Sequence, residues 1–316
     1  MPNRVDSHRA SEARYWAAEA TTPTEAWAEL PSSNVRVRAQ IVGEGPTVLF
    51  VHGGGTSGTG WAPLAARLTG FRCLLLDRPG CGLSEPLEHP KRSMDTFEPF
   101  ADELLAEVLD AFEVERAHLV ATSFGAYFAL RAAAAYPRRV DRMVLLGFPV
   151  GAYARHTPLS MRMTAVPGLG SLMTRLPVGH RMARSMLRQL GLGPALDAGR
   201  LPEEGIAWFR SLLNDTETIR NEIAAMPPLM HPRRGVSPAL VLDDDLLGAI
   251  TSPTFFLWGA KDPIGSEEVA RAFAPKIPSA HLEMLPEAGH VPWLDQPDYI
   301  ASAVARVLEN RGDAAG

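Results

Sequence analysis

The chain has 316 residues, of which 46% are hydrophobic and 21% charged, and its formal net charge is −5. This length indicates one large domain with an insertion, and the acidic balance gives no electrostatic reason to expect a nucleic-acid partner. No apolar run is long enough to span a bilayer, and the polar N-terminus does not resemble a secretory signal. Cys73 and Cys81 are too few for a disulfide framework or a metal-ligand pattern. We therefore expect a cytoplasmic protein without a membrane partner.

Residues 1–24 are predicted to form a largely helical N-terminal extension. Ser11 can cap a short helix that runs to Ala20. Two positions are open for this helix: against the body of the same chain, or against a second subunit in a homodimer.

Strands and helices alternate over most of the remaining chain. Residues 34–42 alternate between apolar and polar, which predicts a half-exposed strand with Arg36, Arg38 and Gln40 on the solvent side. Short apolar runs predict buried strands at 47–51, 71–76, 118–122, 142–146, 254–258 and 281–285. Helical patterns cover 97–112, 125–135 and 299–308. This alternation predicts an α/β fold with a mostly parallel sheet and helices on both faces.

Residues 148–250 interrupt the alternation. We find no buried strand there, and the pattern is helical, with seven methionines at positions 161, 163, 173, 182, 186, 226 and 230. We interpret this insertion as a helical cap over the sheet, which leaves residues 25–147 and 251–316 as the core. Flexible, polarizable methionines favour an apolar substrate, although packing between the cap helices explains them equally well.

The segment Ala121-Thr122-Ser123-Phe124-Gly125 joins a predicted buried strand to an alanine-rich helix. A nucleophile on such a tight turn needs small residues two positions before and after it, because strand and helix approach closely there. Ala121 and Gly125 supply them, and the helix N-terminus favours negative charge near Ser123. Helix capping by Ser123 explains the same pattern, so its assignment as a nucleophile depends on its partners.

A catalytic serine needs a base and a carboxylate that orients the base. Asp262 and His290 each follow a predicted strand, although each alone is explained as well by a structural role. The carboxyl ends of parallel strands share one edge, where open α/β sheets place their sites. The order Ser, Asp, His is also the one expected when the serine lies on a strand-to-helix turn. We therefore predict a triad of Ser123, His290 as base and Asp262.

A glycine-rich loop, His52-Gly53-Gly54-Gly55, follows the strand at 47–51. Glycines there let backbone N–H groups approach a developing oxyanion without a side chain in the way. We assign the two donors of this oxyanion hole to the N–H groups of Gly54 and Phe124. His52 is expected to brace the loop.

These motifs together resemble the α/β-hydrolase superfamily, in its serine-hydrolase branch with a helical cap inserted before the acid-bearing strand. They are HGG at 52–54, DRPGCGLS at 77–84, ATSFG at 121–125, WGAKD at 258–262 and GH at 289–290. The resemblance covers about residues 35–308 and implies the α/β-hydrolase fold, a Ser–His–Asp triad and a cap that shapes the pocket. Ala121 replaces the first glycine of the usual elbow motif. Ser123 argues against the members with an aspartate nucleophile, such as epoxide hydrolases and haloalkane dehalogenases.

An NAD(P)-binding oxidoreductase is the main rival from another class. Gly53, Gly55 and Gly58 also satisfy the dinucleotide-binding glycine pattern, and Asp77 lies near the spacing of a ribose-binding acid. That interpretation leaves Ser123, Asp262 and His290 unexplained.

A non-catalytic ligand receptor is a further alternative, and it would be signalled by the loss of a triad residue. The aspartates at 243–245 could supply another acid, although a solvated helix start is the better explanation.

We expect a serine hydrolase that cleaves an ester or related acyl bond of a largely apolar small molecule, without a metal or organic cofactor. Carbon–carbon bond hydrolysis of a diketone, or lactone opening, is the alternative on the same triad.

Overall fold

A computed structural model of the chain describes residues 3–88, 93–153, 162–163, 165–166, 174, 176–225, 229–233 and 235–309. The strands are β1 Thr24–Leu30, β2 Val35–Val42, β3 Thr47–Val51, β4 Arg72–Leu76, β5 Ala117–Thr122, β6 Val140–Pro149, β7 Met230–His231, β8 Gly235–Val236, β9 Thr254–Gly259 and β10 Ala280–Leu285. The helices in this part of the chain are α1 Arg4–Ala18, α2 Ala62–Ala65, α3 Met94–Ala111, α4 Ser123–Ala135, α5 His180–Leu187, α6 Gly193–Asp197, α7 Glu203–Asp215, α8 Thr218–Ala225, α9 Asp244–Gly248, α10 Glu267–Phe273, α11 Pro292–Asp295 and α12 Pro297–Glu309.

Eight strands form one twisted sheet in the order β1-β2-β4-β3-β5-β6-β9-β10. Strands β1 and β2 pair antiparallel to their neighbours, and the others pair parallel. Within β3, Leu49 and Val51 contribute to one buried cluster, while Val48 and Phe50 contribute to the other. This period of two buries both faces of the sheet under helices. The predicted α/β fold with a mostly parallel sheet is confirmed.

The register brings the loops that follow the parallel strands to one edge of the sheet. Val51, the last residue of β3, pairs with Leu76 on one side and with Ala121 on the other. At the far end, Gly259 of β9 pairs with Leu285 of β10. The segments after β3, β4, β5, β9 and β10 therefore leave the sheet at the same edge, as the sequence predicted.

Strand β1 was not predicted from the sequence. It is one of the two edge strands of this sheet, and only its last residue, Leu30, is buried. Exposed Glu25 and Glu29 interrupt its apolar pattern. An edge strand of this kind lacks the continuous apolar run by which the inner strands were recognised.

Helix α1 differs from the prediction in both its start and its surroundings. It begins at Arg4 rather than at Ser11, and the side chain of Asn3 caps it by accepting a hydrogen bond from the Val5 N–H. Ser11 is not the cap, because it lies buried inside the helix.

The solvent side predicted for β2 is wrong at two of three positions. Arg36 is exposed, but Arg38 and Gln40 are buried beneath α1. Glu12 accepts two hydrogen bonds from the Arg38 guanidinium, at 2.7 and 3.0 Å, and Gln40 accepts one from the Trp16 indole N–H at 3.0 Å. These polar side chains alternate along β2 as a solvent face would, but their partners lie on a distant segment. The residues of α1 that make these contacts are buried within this chain, and dimerisation through α1 stays a prediction.

Within its described residues, the insertion contains helices α5 to α8, the short antiparallel pair β7–β8 and helix α9. The two-residue strands β7 and β8 add to the helices expected there, and they are too short to give a periodic signal. Met186 and Met230 line a cavity described below, whereas Met163 and Met182 are exposed. The methionines at 161, 173 and 226 lie outside the described residues. Within the described ranges, no helix is both long and apolar enough to cross a membrane.

Candidate active site

A cavity of about 410 Å³ lies between the carboxyl edge of the sheet and the insertion. Ser123, His290 and Gly54 line it from the core. Most of the remaining lining is apolar, and from the insertion it includes Leu187, Trp208, Phe209, Ile219, Ile223, Leu229 and Met230. The predicted nucleophile, its base and the glycine-rich loop therefore face one largely apolar space, which is the usual character of a small-molecule site.

Ser123 lies at the turn between β5 and α4 with φ of 51°. L-residues rarely adopt this left-handed conformation, which costs about 1–3 kcal/mol and persists only where the surroundings enforce it. Close packing enforces it here: a Cβ on Gly125 would lie 2.1 Å from the Val51 carbonyl oxygen, and one on Gly53 would lie 2.9 Å from the Ser123 Cβ. Ala121, fully buried two positions before Ser123, is accommodated in the same turn. The turn predicted at Ser123 is therefore present, with alanine in place of glycine.

His290 and Asp262 are joined by a hydrogen bond of 2.7 Å between Nδ1 and Oδ2. They come from the segments that follow β10 and β9, and both side chains are buried. The bond to Nδ1 fixes the ring orientation and places a proton on that nitrogen, so that Nε2 is the nitrogen able to accept another proton.

The Asp262 carboxylate is held by three donors. Besides His290, the N–H of Phe148 donates to Oδ2 at 2.9 Å, and the N–H of Ile264 donates to Oδ1 at 2.9 Å. Burial alone would raise the pKa of Asp262, but the charge and hydrogen bond of His290 and these two N–H groups outweigh burial, so its pKa lies below the usual value. Asp262 is therefore ionised at neutral pH and stabilises a positive charge on His290.

The loop that carries His290 is also held by Asp295 and Gly191, neither of which was predicted. Asp295 accepts a hydrogen bond from the Gly289 N–H at 2.7 Å, and burial raises the pKa of Asp295 to about 6. Gly191, with φ of 88°, lies so close that a Cβ there would be 2.5 Å from the His290 Cβ. Its carbonyl accepts the His290 N–H at 3.3 Å. The insertion thus touches the histidine backbone directly, and only glycine fits at 191.

The glycine-rich loop after β3 is braced as predicted by His52. Its Nδ1–H donates to the Gly53 carbonyl at 2.8 Å, and its Nε2 accepts the Arg78 backbone N–H at 3.1 Å. Burial, together with the nearby Arg78 charge, lowers the pKa of His52 well below its usual value. His52 is thus a neutral brace whose two ring nitrogens are both occupied.

Two charged side chains, Arg78 and Glu222, meet in the cavity beside this loop. Arg78 Nη2 donates to Glu222 Oε1 at 2.8 Å, and the N–H of Gly55 donates to Glu222 Oε2. Glu222 belongs to α8 in the insertion, 144 positions from Arg78. The sequence analysis did not single out Glu222, since nothing local distinguishes it from any exposed helical glutamate.

The structure also explains Asp77, the acid of the dinucleotide-binding interpretation. Asp77 is buried, and its carboxylate accepts hydrogen bonds from the N–H groups of Gly58 and Leu83 and from Arg38, at 2.8, 3.1 and 3.1 Å. Those partners occupy the oxygens that a ribose hydroxyl would need, so Asp77 serves to hold the loop after β4.

The aspartates at 243–245 form a helix start, as predicted. Asp243 caps α9 by accepting the Leu246 N–H at 2.7 Å. Across the described ranges, no group of three or more His, Cys, Asp or Glu side chains could hold a metal ion.

Similarity to known proteins agrees with this arrangement. Residues 48–303 match the alpha/beta hydrolase family. A 2-hydroxy-6-oxononadienedioate/2-hydroxy-6-oxononatrienedioate hydrolase from Cupriavidus pinatubonensis is 28% identical over 265 residues, 81% of this chain and 84% of the relative. A 2-hydroxy-6-oxo-6-phenylhexa-2,4-dienoate hydrolase from Burkholderia cepacia is 27% identical over 274 residues, 82% of this chain and 86% of the relative.

Solved structures show the same fold at lower identity. The 2-hydroxy-6-oxo-6-phenylhexa-2,4-dienoate hydrolase from Rhodococcus sp. strain RHA1 has a TM-score of 0.73 at 21% identity, covering 91% of this chain and 99% of its own. The match to a carboxylesterase from Bacillus subtilis has a TM-score of 0.74 at 19% identity and covers 97% of this chain and 98% of the carboxylesterase. With the matched family region spanning β3 to α12, the chain belongs to the alpha/beta hydrolase family.

Proposed function

We propose that this protein is a serine hydrolase that cleaves an ester or related acyl bond of a largely apolar small molecule. Ser123 is the nucleophile, His290 its base and Asp262 the carboxylate that orients the base. The single observation that carries the proposal is the 2.7 Å hydrogen bond between Asp262 Oδ2 and Nδ1 of His290, which lines the same cavity as Ser123. Residues 148–250 act as the cap that covers the substrate.

The first half of the reaction forms an acyl-enzyme. His290 Nε2 takes the Ser123 hydroxyl proton as Oγ attacks the carbonyl carbon, and Asp262 stabilises the imidazolium that results. The N–H groups of Gly54 and Phe124 hold the oxyanion. Phe124 is the second residue of α4, so its N–H is among those without a partner inside the helix and is available to a ligand. His290 then gives its proton to the leaving group, and the bond to the leaving group breaks.

The second half releases the acid. Water takes the place of the leaving group, His290 removes its proton as it attacks the acyl carbon, and Ser123 recovers its hydrogen from His290. Every proton is carried by His290, so the steps require no metal or organic cofactor.

Carbon–carbon bond hydrolysis of a diketone is the second candidate. Its support is that the relatives from Cupriavidus and Burkholderia are named as hydrolases of 2-hydroxy-6-oxo dienoate compounds. The same triad serves this reaction if the departing carbon carries a second carbonyl that stabilises its negative charge and His290 protonates it. Lactone opening uses the ester chemistry without a separate leaving group.

Turnover of two substrate sets by wild type and Ser123→Ala tests the proposal. We expect wild type to hydrolyse uncharged 4-nitrophenyl esters or uncharged aryl-substituted diketones, and the variant to lose that activity. A higher kcat/KM for the esters supports ester hydrolysis, and a higher kcat/KM for the diketones supports carbon–carbon bond hydrolysis. Hydrolysis that survives in a folded Ser123→Ala would contradict the nucleophile assignment for either bond type.

A further inference from the structure

The cavity lining holds only one arginine or lysine and one aspartate or glutamate among the described residues, Arg78 and Glu222. They are paired with each other, so this lining offers a substrate anion no unpaired positive charge. The other titratable side chains in this lining are Tyr15, Cys81, His52 and His290. Burial raises the pKa of Tyr15 and of Cys81 and lowers that of His52, which keeps all three neutral.

The Arg78 guanidinium already donates three hydrogen bonds within the protein. Its Nε donates to the His52 carbonyl at 3.0 Å, its Nη2 donates to the Gly53 carbonyl at 2.9 Å, and the same nitrogen donates to Glu222. Its flat face lies 5.1 Å from the centroid of the Phe124 ring, a cation–π contact. Arg78 is buried, so water cannot compensate for a lost partner.

Glu222 closes the same region from the insertion. The Glu222 side chain is 15% exposed, and besides Arg78 and Gly55 it accepts a weak hydrogen bond from Cys81 Sγ at 3.6 Å. Its carboxylate lies beside Gly54, since a Cβ on Gly54 would be 3.8 Å from Oε2. The proposed oxyanion hole is therefore flanked by a fixed carboxylate.

A substrate carboxylate entering this cavity would meet one of three costs. Near the glycine-rich loop it would lie close to Glu222, and like charges repel strongly where water is excluded. If the substrate displaced Glu222, the Glu222 carboxylate would lose its buried partner, Arg78. Separating a buried pair in this way costs more free energy than burying the intact pair. Elsewhere in the described lining it would be desolvated against apolar side chains.

We propose that the substrate is uncharged and that Glu222 is a specificity-determining residue that excludes anionic acyl groups. The inference rests on the proposed serine hydrolase function and sharpens its substrate class. It separates this chain from its relatives, whose named substrates are carboxylic acids. A neutral ester, lactone or diketone fits the cavity on this account.

The test compares kcat/KM for 4-nitrophenyl hydrogen glutarate, an anion at pH 7.5, with that for its neutral methyl ester. The two molecules share the reacting ester and nearly the same length. Wild type should disfavour the anion by about tenfold or more, as expected for one like charge close to the reacting group. Glu222→Gln should raise the anion-to-neutral ratio by about tenfold, because Arg78 then carries an uncancelled positive charge. Glu217→Gln is the matched control, since exposed Glu217 lies just before α8 and pairs with Arg220 outside this cavity.

The outcomes separate the two proposals. A wild-type ratio of one or more, or an equal change in both variants, would overturn the role of Glu222 while leaving the hydrolase function standing. Preference for a trimethylammonium-bearing ester over the neutral one would likewise overturn the uncharged substrate. Failure of wild type to hydrolyse any of these esters or the diketones would instead contradict the proposed function. If Glu222→Gln does not fold, the wild-type ratio still tests whether an uncharged substrate is preferred.

Discussion

The two sides of the cavity are held together in different ways. On the core side, Ser123, Asp262 and His290 follow strands whose register is set by the sheet, and Ser123 is kept at a φ of 51° by backbone packing. On the insertion side, side chains make contacts such as Glu222 to Arg78 of the core and Trp208 to Tyr15 of α1, whose rings stack at 5.5 Å. The Gly191 carbonyl adds a backbone contact to the His290 N–H. Under the proposed function, the reacting groups thus lie where the sheet sets the backbone, and substrate selection lies on a part that can be changed one side chain at a time.

The largest expected effect comes from removing the proposed nucleophile on the core side. Ser123→Ala should lower kcat/KM by about 10⁴-fold or more, because the residues that remain cannot form the acyl-enzyme. Alanine also removes only one atom, so the fold should persist. Ser302→Ala, at an exposed serine of α12, should behave like wild type in the same assay. A loss of less than tenfold in a folded Ser123→Ala would mean that another group attacks the substrate.

The next largest effect should follow from changing the orienting carboxylate. Asp262→Asn should cost about 10³- to 10⁴-fold in kcat, because the amide favours the wrong tautomer of His290. Steady-state kinetics across pH check this, with Asp298→Asn as control, since Asp298 is exposed and pairs with Arg67. Equal activity of Asp262→Asn and wild type would remove Asp262 from the site.

A backbone change on the core side should act on stability. Gly125→Ala should lower the free energy of unfolding by at least about 2 kcal/mol, since its Cβ would overlap the Val51 carbonyl oxygen. Gly248→Ala is the matched change, because a Cβ there meets nothing within 4 Å, and it should stabilise by about 0.5–1 kcal/mol. Denaturant unfolding of the two variants would contradict the account if their effects were alike.

The smallest effect concerns Asp295, which holds the His290 loop. Its pKa is raised to about 6 in the folded protein from 3.8, so its contribution to stability is greatest below pH 4 and is lost as pH rises through 6. As pH rises from 4 to 7, the free energy of unfolding of Asp295→Asn should therefore increase relative to that of wild type by about 1–2 kcal/mol. The measurement is the free energy of unfolding of both proteins at several pH values. The difference between the two values removes the contribution of Asp262, which titrates in both proteins. A difference that does not change with pH would contradict this role.

The same contrast explains what the sequence could predict. Strands β3 and β9 were recognised because burial on both faces demands a continuous apolar run. Ser123, Asp262 and His290 could be named because each follows such a strand at the edge where sites form. The sheet sets the positions of these three residues relative to one another, and the strands of the sheet are themselves recognisable from local apolar runs.

Residues whose role depends on distant partners were not predictable in this way. Arg38 and Gln40 alternate as a solvent-facing row would, and only the polar side chains of α1 make them interior. Glu222 and Arg78 are 144 positions apart, and Glu222 lies in a segment with no periodic link to the sheet. Strand β1 was missed because an exposed edge strand carries little apolar signal. Non-local contacts between polar side chains leave no pattern in the neighbouring sequence.

The most direct test of the central claim is the intact mass of the protein after treatment with a fluorophosphonate, run beside Ser123→Ala. The proposed triad predicts a single adduct on wild type, formed at Ser123 as it displaces fluoride from phosphorus, and none on the variant. An adduct of equal extent on the folded variant, or no adduct on a wild type whose cavity admits the reagent, would contradict the assignment of Ser123 as an activated nucleophile.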